Sequence, residues 1–359
     1  MINRVLIMAG GTGGHVFPAL AVAHALKEKG VTVSWLGTQR GLESDLVPKA
    51  GYPIDWISIQ GLRGNGALGW LMAPIKLLRA VAQTWQVFSK RKPDAVIGLG
   101  GFVTGPGGVV AWLRGKPLVI HEQNAIPGLT NRLLAKLSKR VLEAFPHAFK
   151  SDVKAVCVGN PVRKELLNVT PPEERMRLRE GAFRLLVVGG SLGAKALNTV
   201  VPAAIKQAGS FLPISVWHQT GKKLHAEALE AYEDVNSEKR VDPFIDDMAE
   251  AYQWADLIIC RAGALTVSEL AAVGLGSILV PFPHAVDDHQ TENAKFLLKA
   301  DAAILMPQNE LTSESLASQL EEIFASREKP MAMAQAAYSL RQTNSVEQVV
   351  NACYEVANV

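Results

Sequence analysis

A carboxylate one helical turn beyond a strand-to-helix turn is the first piece of chemistry the chain offers. In the stretch from Asp256 to Glu269, the apolar run Leu257–Cys260 reads as a buried strand, and Arg261, Ala262 and Gly263 turn it into a helix that starts near Ala264 to Thr266. A helix start carries unpaired N–H groups and a positive dipole end, so the backbone here suits a phosphate. Glu269 could then take both hydroxyls of a ribose, because an ionised carboxylate has only acceptors and a vicinal diol offers two donors. The alternative is an N-terminal-turn glutamate that complements the helix dipole and nothing more.

Strand–turn–helix units of this kind run through the chain. In the first half, apolar runs at Val5–Ala9, Thr32–Leu36, Ala95–Leu99 and Leu118–His121 alternate with helical stretches at Pro18–Lys29, around Leu42, Leu46 and Val47, and near Gly107–Leu113. That alternation implies parallel strands with helices on both faces. Residues 4–15 and 184–195 each give a strand, a glycine turn and a helix, so two similar doubly wound α/β domains are expected rather than one large sheet. The boundary falls near Gly159, Asn160 and Pro161, which divides the chain into 1–160 and 161–340 with a closing segment 341–359. A single proline-containing link implies a hinge, with a cleft between the domains.

Neither glycine turn is a dinucleotide fingerprint. Gly11 and Gly13 are followed three residues later by Val16, and no acidic residue ends the second strand of either half. A P-loop is absent too. No Asp-x-Asp occurs, so any diphosphate would be held without the usual metal, by N–H groups at Ala264–Thr266 and Ser191–Gly193. No metal and no cofactor are expected.

Length and composition fit two globular domains: 359 residues, 48% hydrophobic and 20% charged. The three cysteines, Cys157, Cys260 and Cys353, are far apart and show no metal spacing, which implies a reducing compartment. The opening apolar run is too short for a signal peptide, so a cytoplasmic chain is expected. Residues 1–160 carry 19 Lys and Arg against 8 Asp and Glu, although the whole chain is only +3. The first half thus favours an anionic partner, a membrane surface or a phosphorylated substrate, and no nucleic-acid motif appears. Between Leu68 and Lys92 a basic, aromatic-rich segment places Leu71, Ile75, Leu78, Val81, Trp85 and Phe88 on one helical stripe. That stripe is expected to pack on the sheet, with contact to a membrane as the alternative.

Taken in order, Ala9–Pro18, Gly100–Gly108, His121–Gly128, Gly159–Arg163, Gly189–Ser191, Phe244–Met248, Arg261–Glu269 and His284–Gln290 closely resemble the bacterial MurG-type N-acetylglucosaminyltransferases, over nearly the whole chain. The resemblance implies the GT-B architecture, two Rossmann-like domains and a cleft. It also implies transfer of N-acetylglucosamine from UDP-N-acetylglucosamine (UDP-GlcNAc) to the 4-hydroxyl of undecaprenyl-pyrophosphoryl-MurNAc-pentapeptide, in peptidoglycan synthesis. The implied place is the cytoplasmic face of the inner membrane, with peripheral attachment to an anionic surface, and the segment 341–359 is expected to pack back on the first domain. Leu192 departs from the pattern, since many members have Gln there. A UDP-GlcNAc 2-epimerase-like enzyme and a non-catalytic UDP-sugar-binding protein at the membrane surface are the other readings.

Carried over by position, the resemblance implies that Ile245 presents backbone groups to uracil, with Phe244 stacking nearby. Ala264, Leu265 and Thr266, followed by Val267 and Ser268, form the diphosphate-binding helix start, and Glu269 holds the ribose. Gln290 and His289 reach the sugar or diphosphate, Ser191 and Arg163 assist the phosphates or sugar, and Thr12, Gly13 and Gly14 belong to the donor contacts. His15 is the candidate general base, since imidazole titrates near neutrality; a helix-start His that caps the loop or binds phosphate electrostatically is the alternative. Glu122 is the rival base and Asn124 a sugar contact, unless both serve only the turn that they open.

Overall fold

The computed structural model describes residues 2–60, 72–190, 192–208, 213–283 and 285–357. The chain divides into two units, Met1–Arg163 with Gln342–Val359, and Lys164–Arg341. The boundaries therefore fall three residues after 160 and one after 340.

In unit 1 the strands are β1 (Arg4–Met8), β2 (Thr32–Gly37), β3 (Ile54–Trp56), β4 (Ala95–Gly98), β5 (Leu118–Glu122), β6 (Arg140–Glu143) and β7 (Ala155–Cys157). They form one sheet in the order β3-β2-β1-β4-β5-β6-β7, parallel throughout. Every residue of β4 and β5 is buried, as expected of parallel strands covered on both faces. Side chains alternate across β1. Val5 and Ile7 meet Val16, Ala19 and Ala23 of the helix Gly13–Glu28 together with Val349, Val350 and Cys353 of the helix Ser345–Ala357. Leu6 and Met8 face Val110 and Ala111 on the other side.

Unit 2 repeats the plan with β8 (Phe183–Val188), β9 (Ile214–Gln219), β10 (Lys239–Asp242), β11 (Leu257–Cys260), β12 (Ser277–Leu279) and β13 (Ala303–Leu305). The order is β10-β9-β8-β11-β12-β13, again all parallel. Strand order reverses between β1 and β4 in one unit and between β8 and β11 in the other. In such sheets a crevice opens at the carboxyl ends of those strands, where ligands bind.

Two expectations need correction. The first helix starts at Gly13, not Pro18, and holds the proline inside its second turn. Its first bonds run from the His15 and Val16 N–H groups to the Thr12 carbonyl. The basic, aromatic segment forms the helix Ala73–Arg91, with Leu71 outside the described residues, but its buried face is Ala80, Thr84, Val87 and Phe88. Ile75, Leu78 and Trp85 are 59%, 69% and 42% exposed. Residues at i, i+4, i+7 and i+8 line one face of a helix, and here that face is set by the sheet under the second half of the helix. Asp55 of β3 pairs with Lys90 and Arg91 at the helix end and fixes which face turns inward.

Candidate active site

The β1–β4 crevice in unit 1 is built from two glycine turns pressed together. Gly100 and Gly101 both have positive φ, and a Cβ on Gly101 would lie 2.4 Å from the Gly10 oxygen. His15, in the first turn of the helix Gly13–Glu28, sets its Nδ1 3.2 Å from the Gly10 carbonyl. A carbonyl only accepts, so Nδ1 carries the hydrogen and Nε2 keeps its lone pair. Burial pushes the His15 pKa below the ordinary 6.5, against the pull of Glu122, the Gly10 carbonyl and Glu43 toward the protonated form. A neutral imidazole with a free Nε2 is the form that can accept a proton from a hydroxyl.

Gly100 leaves the room this requires. A Cβ there would stand 2.7 Å from Nε2 and 2.4 Å from Cδ2, on a residue at φ +95. Gly100→Ala is therefore expected to lower turnover about 100-fold, by displacing the ring, while circular dichroism stays native. Turnover near the wild-type value would show that Nε2 does not need this space.

Glu122, at the end of β5, is buried and accepts four hydrogen bonds. Oε1 takes the Asn124 N–H at 2.9 Å and its Nδ2 at 3.2 Å; Oε2 takes the Gly128 N–H at 3.1 Å and Asn131 Nδ2 at 2.9 Å. The carboxylate closes the turn that leads to the helix Leu129–Leu134, and it acts on His15 through its charge. Asn124 is held in that same turn. Thr12 is exposed and makes no side-chain cap, so Gly13 and Gly14 begin the helix with N–H groups that have no intrahelical acceptor. The Arg163 guanidinium lies over the Phe17 ring at 5.1 Å, which brings it beside that first turn.

In unit 2 the crevice lies between the turns after β8 and β11. Gly193 and Gly221, both at positive φ, meet backbone to backbone: a Cβ on Gly193 would be 2.0 Å from the Thr220 oxygen. Gln219 ends β9 and ties the glycine turn to a predicted contact, donating to the Gly190 oxygen at 3.0 Å and accepting the Ile245 N–H at 2.9 Å. Ile245 is buried, whereas Phe244 presents its ring to solvent. Ser191 lies outside the described residues.

The helix Ala264–Val273 starts after Gly263 with no side-chain cap, and its first backbone bond runs from the Val267 N–H to the Gly263 oxygen at 2.9 Å. The turn geometry thus leaves the N–H groups of Ala264, Leu265 and Thr266 ahead of the helical ladder, at the positive dipole end. At the other end Arg175 donates to the carbonyls of Val273 and Gly274. Val267 and Ser268 belong to the helix itself: the Val267 side chain is in the core, and the Ser268 hydroxyl donates to the Ala264 carbonyl at 3.0 Å. Glu269 is buried one turn in, its Oε2 accepting the Tyr252 hydroxyl at 3.0 Å. Arg261 spends its guanidinium on the carbonyls of Val280 and Pro281 and on Gln308, so it braces the turn. Gln290 Oε1 accepts the Phe282 N–H at 2.8 Å, and His289 Nδ1 is buried without a hydrogen-bond partner among the described residues. Among those residues no group of three or more His, Cys, Asp and Glu is placed to hold a metal ion.

Sequence reasoning missed Glu43 and Gln219, which organise the two glycine turns. Gln219 at the end of an apolar strand just before Thr220 and Gly221 was the available signal.

Residues 5–143 match the glycosyltransferase family 28 N-terminal domain and residues 184–351 the glycosyltransferase family 28 C-terminal domain. A Nitrosococcus oceani protein named UDP-N-acetylglucosamine–N-acetylmuramyl-(pentapeptide) pyrophosphoryl-undecaprenol N-acetylglucosamine transferase is 53% identical over 358 residues, covering 100% of both chains. The crystal structure of Acinetobacter baumannii MurG superposes with a TM-score of 0.84 at 43% identity, over 98% of this chain and 99% of that one. A UDP-GlcNAc 2-epimerase from Neisseria meningitidis shares the fold alone, with a TM-score of 0.67 at 13% identity over 98% of this chain and 100% of that one. With two doubly wound units, both family 28 domains and a full-length relative at this identity, the chain belongs to glycosyltransferase family 28 and, within it, to the MurG family of N-acetylglucosaminyltransferases.

Proposed function

We infer that this chain transfers N-acetylglucosamine from UDP-GlcNAc to the 4-hydroxyl of a lipid-linked N-acetylmuramoyl-pentapeptide, with inversion at the anomeric carbon. The observation that carries the reading is 53% identity along the full length with a transferase of that name, in a chain whose helix start at Ala264–Thr266 follows Gly263 and has Glu269 one turn on. Unit 2 supplies the donor half. The N–H groups of Ala264, Leu265 and Thr266 meet the diphosphate, Glu269 the ribose, and Ile245 and Phe244 the uracil, while Gln290 and His289 lie toward the sugar. Charge grows on the diphosphate as the bond to C1 breaks, and a fixed helix start stabilises it without reorganising. Unit 1 supplies the base: Nε2 of His15 takes the hydroxyl proton as the oxygen attacks C1. Arg163 and the turn Thr12–Gly14 add donors for phosphate or sugar.

The lipid tail requires a membrane surface, and no described helix is long and apolar enough to cross one. The face left open by the helix Ala73–Arg91 suits peripheral attachment to an anionic leaflet. Ile75, Leu77 and Leu78 are exposed beside Lys76 and Arg79, and Trp112 and Leu113 are exposed on the neighbouring helix Thr104–Leu113. Replacing both Ile75 and Leu78 with Glu is expected to weaken sedimentation with phosphatidylglycerol vesicles at least about tenfold, since each buried aliphatic side chain contributes about 1.5–3 kcal/mol. Turnover of a short-chain, water-soluble acceptor should persist. Undiminished vesicle binding would place the contact elsewhere.

The reaction itself is tested by incubation with labelled UDP-GlcNAc, with and without the lipid-linked acceptor. Label in the lipid fraction only when acceptor is present supports transfer. Release of an epimer without acceptor, or binding without turnover, would point to the epimerase-like or non-catalytic readings instead.

A further inference from the structure

A carboxylate outside the predicted set holds the His15 turn. Glu43, the first residue of the helix Glu43–Lys49, is fully buried. Its Oε2 accepts the Gly11 N–H at 2.8 Å, and its Oε1 accepts the Thr38 N–H at 3.0 Å and the Thr38 hydroxyl at 2.7 Å. Three glycines clear its space: a Cβ on Gly10, Gly37 or Gly41 would lie 2.6 Å from Oε1, 2.9 Å from Cγ or 1.9 Å from Oε2. So much room kept for one acidic side chain is more than capping a short helix requires.

The geometry beyond Glu43 gives it a role. The Gly11 N–H and the Gly10 carbonyl are the two ends of one planar peptide group, and the Gly10 oxygen is the partner of His15 Nδ1 at 3.2 Å. Carboxylate, peptide and imidazole thus form one hydrogen-bonded chain. Gly11 is gripped a second time, its carbonyl accepting the Leu42 N–H at 3.1 Å. Hydrogen bonds in such chains polarise one another. A negative charge at the N–H end makes the carbonyl oxygen a stronger acceptor, which favours hydrogen on Nδ1 and leaves a more basic Nε2.

We propose that Glu43 is a positioning residue for the His15 base, setting its tautomer, orientation and basicity through the Gly10–Gly11 peptide. No proton moves along the chain of bonds. The inference rests on the reading of His15 as the base. The charged groups facing His15 are Glu122 and Glu43, and both favour the protonated ring against burial. Glu122 is held by its own four donors, so substitution at residue 43 leaves it in place.

The test compares Glu43→Gln and Gly41→Ala in the full chain, by NMR titration of the His15 ring and by steady-state kinetics with UDP-GlcNAc and lipid acceptor. Gln removes the charge at nearly constant volume. The methyl added at Gly41 pushes the carboxylate away while keeping its charge, and it provides the second variant if Glu43→Gln does not fold. In Glu43→Gln the titration midpoint of His15 is expected to fall. In both variants kcat should drop about tenfold, a part of what a general base contributes, with KM for UDP-GlcNAc unchanged. A His15 midpoint and ring-nitrogen shifts that stay where they are in Glu43→Gln overturn the proposal, as does lost stability with neither changed. His15→Ala separates the two readings: normal turnover there removes His15 as the base, while the ring titration in Glu43→Gln still decides whether Glu43 governs the imidazole.

Discussion

His15→Ala is expected to lower kcat by about 10²–10⁴-fold, the usual contribution of a general base, and to leave the calorimetric affinity for UDP-GlcNAc unchanged. The first part follows from the tautomer. The Gly10 carbonyl holds the Nδ1 hydrogen, so Nε2 is the ring's one open acceptor, and Gly100 gives it room. The second part follows because the proposed contacts to uracil, ribose and diphosphate at Ile245, Glu269 and Ala264–Thr266 belong to unit 2, and the unit 1 turn Thr12–Gly14 offers backbone N–H groups that a side-chain truncation at His15 leaves in place. The pH profile adds an independent check. His15 works as a base only when neutral, and burial holds its pKa below the ordinary 6.5. The acid limb of kcat/KM should therefore lie below that value, with activity kept as pH falls to it and lost as pH drops through the lowered pKa. Residual activity in the alanine variant should lack this limb. Turnover within a few-fold of wild type, or an unmoved limb, would assign the proton to another group.

Glu269→Gln should weaken UDP-GlcNAc binding roughly 10- to 100-fold, since a hydrogen bond to a charged group is worth about 1.5–3 kcal/mol. The substitution keeps the volume of a buried side chain, so little repacking accompanies it. It replaces one acceptor oxygen with a donor, and a vicinal diol that offers two hydrogens then finds only one oxygen. Tyr252→Phe serves as the control, because the Tyr252 hydroxyl donates to Glu269 Oε2. Its loss alone should cost far less donor affinity than the loss of the charge. An unchanged dissociation constant in Glu269→Gln would remove Glu269 from the ribose.

The sheet plan was readable because buried parallel strands are written as short, continuous apolar runs, and each unit announces its first turn with clustered glycines. The helix start at Ala264 could be placed for the same reason, as an apolar strand running through Gly263 into a helical pattern. Glu43 could not be read. Its acidic neighbour Asp45 and its place at a helix start make it look like dipole complement, while its partner in the chemistry is a backbone N–H 32 residues away. Glu122 could be placed at a strand end, but the donors around its carboxylate come from residues up to nine positions later, and only folding brings them together. The helix Ala73–Arg91 carries apolar residues on two faces. Which face is buried depends on the helix Thr104–Leu113 and the sheet residues it packs against, a tertiary fact that periodicity does not contain.

The helix Ser345–Ala357 completes the core of unit 1, although the whole of unit 2 is interposed in the chain before it. On the ribosome this sets an order of events. Unit 2, contiguous from Lys164 to Arg341, has all its strands available while unit 1 still lacks Val349, Val350, Cys353 and Val356 against its first helix. The unit whose synthesis begins first is thus the one whose core residues are complete last, and until then its open seam of apolar side chains is a surface for chaperones or for misassembly.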